Sequence, residues 1–102
     1  MDAAARHPRH DLDEQLTAPV RLSILALLAQ VDDAEFAAVR DSIDVSDSVL
    51  SKQVTQLELA GYVSVTKGYV GKRPRTWLAA TESGRDALAR HLSALRALVG
   101  EL

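Results

Sequence analysis

Within residues 48–56, Ser48, Ser51, Lys52, Gln53, Thr55 and Gln56 offer hydroxyls, amides and one amine, and the window contains no carboxylate. At helical spacing Ser48, Ser51, Lys52 and Thr55 share one face, with Gln53 and Gln56 at its borders. Leu50, Val54 and Leu57 recur at i, i+4 and i+7 on the opposite face. A solvated helix face usually carries Glu–Lys pairs. This one carries short groups that donate and accept hydrogen bonds at close range, which suits approach to base edges between phosphates. A polar solvent face is the plainer alternative, and the helix alone does not separate the two.

A second cluster follows directly. Lys67-Gly68-Tyr69-Val70-Gly71-Lys72-Arg73-Pro74-Arg75 combines glycines, a proline and cations, the chemistry of a flexible exposed loop. Lys72, Arg73 and Arg75 can pair with phosphates or enter a narrow minor groove. Lysines also blunt exposed strand edges, so this segment too has a plain alternative. A groove-compatible helix followed at once by a cationic hairpin is far more specific than either part.

The elements that must hold these groups can be read from the flanks. Thr17-Ala18-Pro19 starts a helix running to about Gln30, because proline is tolerated in a first turn. Its residues Val20, Leu22, Ile24, Leu25, Leu27 and Leu28 surround the axis and predict burial on more than one side. Asp32 and Asp33 are expected to cap a second helix through Phe36, Val39 and Arg40, ending near Ser42. Ser46 is a strong N-cap for a third helix, residues 46–60, with Asp47 in its first turn and Gly61 at its end. Residues 62–66 alternate and are rich in β-branched residues, and residues 75–80 return as a second strand. Thr81 caps a long last helix. The predicted fold class is mainly α with a small β-hairpin, a winged helix-turn-helix built as a three-helix core, a wing and a C-terminal helix. Residues 1–10 read as a disordered tail, 11–85 as the binding domain and 86–102 as a dimerisation helix continuous with it.

In that last helix Leu88, Leu92, Leu95, Val99 and Leu102 follow steps of four, three, four and three, a heptad-like seam. A homodimer is expected to use it, with packing on its own domain as the alternative.

At 102 residues the chain accommodates one domain. The net charge of −2 hides an asymmetry: residues 48–80 carry five cations against Glu58, a local +4 that leaves −6 elsewhere. Cysteine is absent, which excludes disulfides, thiolate metal sites and thiol nucleophiles. His7, His10 and His91 lack ligand spacing, so no metal site or cofactor is expected, and His91 reads as a polar neighbour of the dimer seam. No phosphate-binding glycine loop, nucleophile elbow or histidine–carboxylate set is present, which argues against an enzyme. With no long apolar run and no leader-like start, the expected location is the cytoplasm.

Four segments carry a family resemblance: Ala18 to Leu28; Val45 to Leu57 with Ala60-Gly61-Tyr62-Val63; Gly71 to Trp77; and Thr81 to Arg85. Together they resemble the short, single-domain winged helix-turn-helix regulators of the MarR, ArsR and PadR groups. Leu78-Ala79-Ala80 departs from the leucine–threonine usual before the last helix, and the metal-binding cysteines of the ArsR sensors are missing. The resemblance implies a transcription regulator. It assigns Ser48, Ser51, Lys52, Gln53, Thr55 and Gln56 to a recognition helix in the major groove. Lys72, Arg73 and Arg75 are assigned to a wing on the backbone or minor groove. A twofold dimer would present two such helices about 34 Å apart to a pseudo-palindromic site in double-stranded DNA. A winged helix used for protein contact, without DNA, is the competing reading. No effector ligand is legible.

Overall fold

The computed structural model describes residues 6–100. Two 3-10 turns, Pro8–Asp11 and Glu14–Leu16, lead into α1 (Pro19–Leu28), β1 (Ala34–Glu35) and α2 (Phe36–Ser42). Then come α3 (Asp47–Leu59), β2 (Val63–Val70), β3 (Arg73–Ala80) and α4 (Glu82–Val99). The strands form one antiparallel sheet in the order β1-β3-β2.

One core joins all these layers. Ile24, Leu25 and Leu28 of α1, Val39 of α2 and Leu50, Val54 and Leu57 of α3 meet Val63, Leu78 and Leu88, with Leu16 closing one side. The i, i+4, i+7 stripe of α3 is therefore the buried one, as its spacing predicts. Leu22 and Leu27, which complete the apolar circumference of α1, are half-buried against the same core.

Local chemistry sets the ends of α3. Ser46 accepts a hydrogen bond from the Val49 amide at 3.2 Å, satisfying one of the unpaired donors of a first turn. At the other end Tyr62 N–H donates to Leu57 O and Gly61 N–H to Glu58 O, each at 2.9 Å, the paired bonds of a Schellman ending. Ser46→Ala is expected to cost about 1 kcal/mol, read as a lower urea midpoint with an unchanged slope.

α4 is anchored at its start. Thr81 Oγ1 accepts from the Gly84 amide at 2.9 Å and donates to Gly61 O at 2.6 Å, while Thr81 N–H donates to Tyr62 O at 3.0 Å. A Cβ on Gly84 would stand 2.2 Å from Tyr62 O, so the helix touches the chain backbone where only hydrogen fits. Arg85 reaches across to donate to Ala29 O and Val31 O at 2.5 and 3.0 Å, satisfying carbonyls left open beyond α1.

Several expectations need correction. Residues 8–10 do not continue a disordered tail: they form the first 3-10 turn, opened by His7 Nδ1 accepting from the Arg9 amide at 3.1 Å, and the turn packs on α4. Residues 1–5 lie outside the described residues. Asp32 and Asp33 do not cap α2, because Ala34 and Glu35 first pair with Leu78 and Trp77 as β1, and Glu35 precedes the helix. The sheet thus has three strands, not two. The expected loop at 67–74 is mostly strand: pairing continues to Val70↔Arg73 and leaves Gly71-Lys72 as the turn. Gly71 takes φ of 63°, the left-handed backbone that a two-residue hairpin requires and glycine supplies without strain.

His91 is not a seam residue. It is 2% exposed and its Nδ1 accepts from the Asp13 amide at 3.0 Å. The Asp13 carboxylate in turn accepts from the Tyr62 hydroxyl. That hydrogen bond, reinforced by burial, raises the Tyr62 pKa above its ordinary value. Its contribution is present below the unfolded tyrosine range, near pH 10, and is lost as pH rises through the raised value. Melting temperature is therefore expected to fall in that alkaline window, and Tyr62→Phe to flatten that part of the profile.

The molecule measures 63 × 24 × 20 Å with a radius of gyration of 15.6 Å, against about 13 Å for a compact domain of this length. α4, which at 18 residues is about 27 Å long, contributes to this length. Among the described residues, no helix is long and apolar enough to cross a membrane.

Candidate nucleic-acid interface

α3 presents its outer face as the sequence arranges it. Ser48, Ser51, Lys52, Thr55 and Gln56 are exposed. Ser48 Oγ lies 3.2 Å from Ser46 Oγ, and the Thr55 hydroxyl donates to Ser51 O at 2.9 Å, so its oxygen can still accept. Among the described residues Lys52 has no hydrogen-bond or ion-pair partner. Gln53 differs: it is half-buried, and its Oε1 accepts from Arg21 at 2.7 Å.

Asp47, the carboxylate at the start of the helix, is engaged. Arg40 donates to Asp47 Oδ1 at 2.8 Å and to Asp41 Oδ1 at 2.9 Å. The hydrogen bond to Asp41, followed by that to Asp47, raises the Arg40 pKa, and the same contact lowers that of Asp41. The charge of Asp47 is thus opposed by a fixed cation, whereas Glu58, exposed in the last turn of α3, has no ion-pair partner among the described residues.

The hairpin stands beside this face. A groove of about 320 Å³ separates them, lined on the helix side by Ser51, Thr55 and Glu58 and on the strand side by Val65, Lys67 and Thr76. Lys72 and Arg73 are exposed at the tip, free of protein partners among the described residues. Arg75 is not equivalent to them. It is half-buried, 3.7 Å from Glu35 Oε2, and ties the hairpin to β1. Pairing puts Arg73, Arg75 and Trp77 on the sheet face away from α3, since residues opposite and two apart share a face. The Trp77 ring lies over Gly68, where a Cβ would come within 3.1 Å of it.

Apolar groups also reach this surface, among them Leu59, an apolar exception in the last turn that the sequence allowed to point away from the groove. Val49 is 40% and Leu59 78% exposed on α3, and Tyr69 and Val70 are 73% and 53% exposed near the hairpin tip. Their helical and strand positions were legible; their lack of cover was not.

The proposed seam divides in two. Leu88 is buried in its own chain, and half-buried Leu92 packs against the same core, so their own domain covers the first wholly and the second in part. Leu95 is half-buried, Val99 is 51% exposed with Leu98 beside it at 40%, and Leu102 lies outside the described residues.

Comparison with known proteins agrees with this fold. The family described as a winged helix DNA-binding domain matches residues 20–99. An uncharacterized protein of Methanocaldococcus jannaschii is 30% identical over 73 residues, 72% of this chain and 79% of that protein. A transcriptional regulator homologue from Pyrococcus horikoshii OT3 is 31% identical, with a TM-score of 0.80 over 86% of this chain and 87% of its own. The PcaV transcriptional regulator of Streptomyces coelicolor, solved with its natural ligand, shares the fold at 17% identity. Its TM-score is 0.72 over 89% of this chain and 63% of its own.

Proposed function

Because the chain belongs to the winged helix DNA-binding domain family, a binding module and not an enzyme, we propose that it is a sequence-specific transcription regulator of double-stranded DNA. α3 enters the major groove. Ser48, Ser51, Lys52, Thr55 and Gln56 approach base edges and the flanking phosphates, and Lys72 and Arg73 hold the backbone or minor groove alongside. One observation carries this reading: the exposed face of the carboxylate-free run from Ser48 to Gln56, between Asp47 held by Arg40 and Glu58 in the last turn, lies beside a hairpin whose tip cations have no protein partner among the described residues. Val49, on the same face, suits a thymine methyl group.

The chain acts as a homodimer in this reading, through the end of α4. Leu95, Leu98 and Val99 continue the buried stripe of that helix past its own domain, and a second copy supplies the missing cover. Two recognition helices would then meet a pseudo-palindromic site.

Selection from a pool of randomised duplexes tests this. Enrichment of a symmetric motif is the expected result, and recovery without any sequence preference would reject it. The competing use, a protein-binding surface, is favoured by exposed Leu59 on the same face. It predicts failure of the selection with retention of the fold.

A further inference from the structure

α1 contains one charged residue, Arg21, in a run that is otherwise apolar apart from Ser23. Its guanidinium is fixed at two points. Nε donates to Gln15 O at 2.8 Å, and one terminal nitrogen donates to Gln53 Oε1 at 2.7 Å. Both acceptors are neutral. Arg6, Arg40 and Arg75 each face a carboxylate, but among the described residues no carboxylate lies within ion-pair distance of Arg21. A cation oriented by neutral acceptors keeps its field outward and loses little further freedom on meeting an anion.

Its position relative to the hairpin gives that field a use. The α3 residues facing the hairpin are Ser51, Thr55 and Glu58. At 3.6 residues per turn Gln53 lies about 160° around the axis from Ser51 and Thr55, so Arg21 and the hairpin stand on opposite flanks of α3. The exposed face with Ser48 and Lys52 lies between them. A helix about 10–12 Å across fills a major groove about 12 Å wide, which brings the phosphates of both groove walls close to its flanks.

Resting on the DNA-binding reading above, we propose that Arg21 contacts the phosphate strand on the groove wall opposite the hairpin, and that Gln53 positions Arg21 instead of reading a base. With its oxygen turned to Arg21, the Gln53 amide presents its NH2 group as a second donor to the same strand. Lys52, Arg21 and the hairpin tip then hold the duplex from both sides of the recognition helix.

The test is fluorescence anisotropy of a labelled 30-bp mixed-sequence duplex, titrated with the full chain between about 50 and 200 mM salt. Each phosphate contact contributes about 0.9 to the slope of log K against log salt. Arg21→Gln is expected to lower affinity about tenfold and flatten the slope by about one per protomer, while Arg21→Lys keeps the slope. Gln53→Glu gives a second route that does not depend on folding of the first variant. It keeps the hydrogen bond to Arg21 but cancels its charge, so the melting temperature is held while the slope flattens. A folded Arg21→Gln variant with the parent's slope would overturn the proposal, as would an unchanged slope in Gln53→Glu if Arg21→Gln fails to fold. If the parent chain shows no salt-dependent binding, this inference and the DNA-binding reading fall together. If the parent binds and the slopes do not move, Arg21 alone is wrongly assigned.

Discussion

A Lys52→Ala, Arg73→Ala variant is expected to lose duplex affinity on the order of 100-fold, from two charged contacts worth about 1–3 kcal/mol each. Its stability should stay within about 0.5 kcal/mol of the parent. Both side chains are exposed and free of protein partners among the described residues, so their removal leaves no buried group unsatisfied. Lys52→Ala also puts a better helix former into α3. The separation of the two effects is what matters, and anisotropy and thermal melting on one preparation measure both. Arg75→Ala should behave differently, because Arg75 is engaged with Glu35: its loss loosens the hairpin as well as removing charge.

Gly84→Ala is expected to destabilise the protein by about 2–3 kcal/mol, against the usual sign of such a change. Within an exposed helix, glycine to alanine gains about 1 kcal/mol from propensity. Here the new Cβ would stand 2.2 Å from Tyr62 O, 2.9 Å from its carbonyl carbon and 3.0 Å from its Cα. All three are backbone atoms, so no rotamer change relieves the contact. α4 must move away, straining the Thr81 bonds to Gly61 O and Tyr62 O, at an overpacking cost typical of a tight site. Scaled at about 4–8 °C per kcal/mol, the melting temperature should fall by roughly 10–20 °C. A variant that melts at or above the parent would show that α4 does not sit this close to Tyr62.

The same residues show what the sequence could disclose. The face of α3 and its cap were legible because helical period and capping act within a few residues. Ser46, Leu50, Val54 and Leu57 meet partners that their spacing already implies. The hairpin was legible in composition but not in extent. Glycine, proline and cations at 67–74 signal a loop, yet ladder pairing with β3 holds all but two of those residues in strands. β1 was not legible, since two residues beside Asp32 and Asp33 are too short a segment to carry a strand period. Long-range side-chain bonds were the least accessible. Nothing at short range in the sequence joins Arg21 to Gln53, Arg75 to Glu35 or His91 to Asp13. Those contacts decide which of the candidate groups remain free. A single arginine inside apolar α1 was the one available signal for the first. For α4, the four–three spacing shares only Leu88 with the stripe that is buried, Gly84, Ala87, Leu88, His91 and Ala94, and it could not say where its own domain stops covering the helix.

The central claim is that α3 and the hairpin meet one duplex at the same time. The most direct measurement is the salt dependence of duplex affinity for the parent chain, Lys52→Ala, Arg73→Ala and the double variant. The account predicts a steep negative slope for the parent, a loss of about one per protomer in each single variant, and the sum of both in the double. A folded parent that binds no duplex even at low salt, or single variants that leave its slope intact, would contradict it.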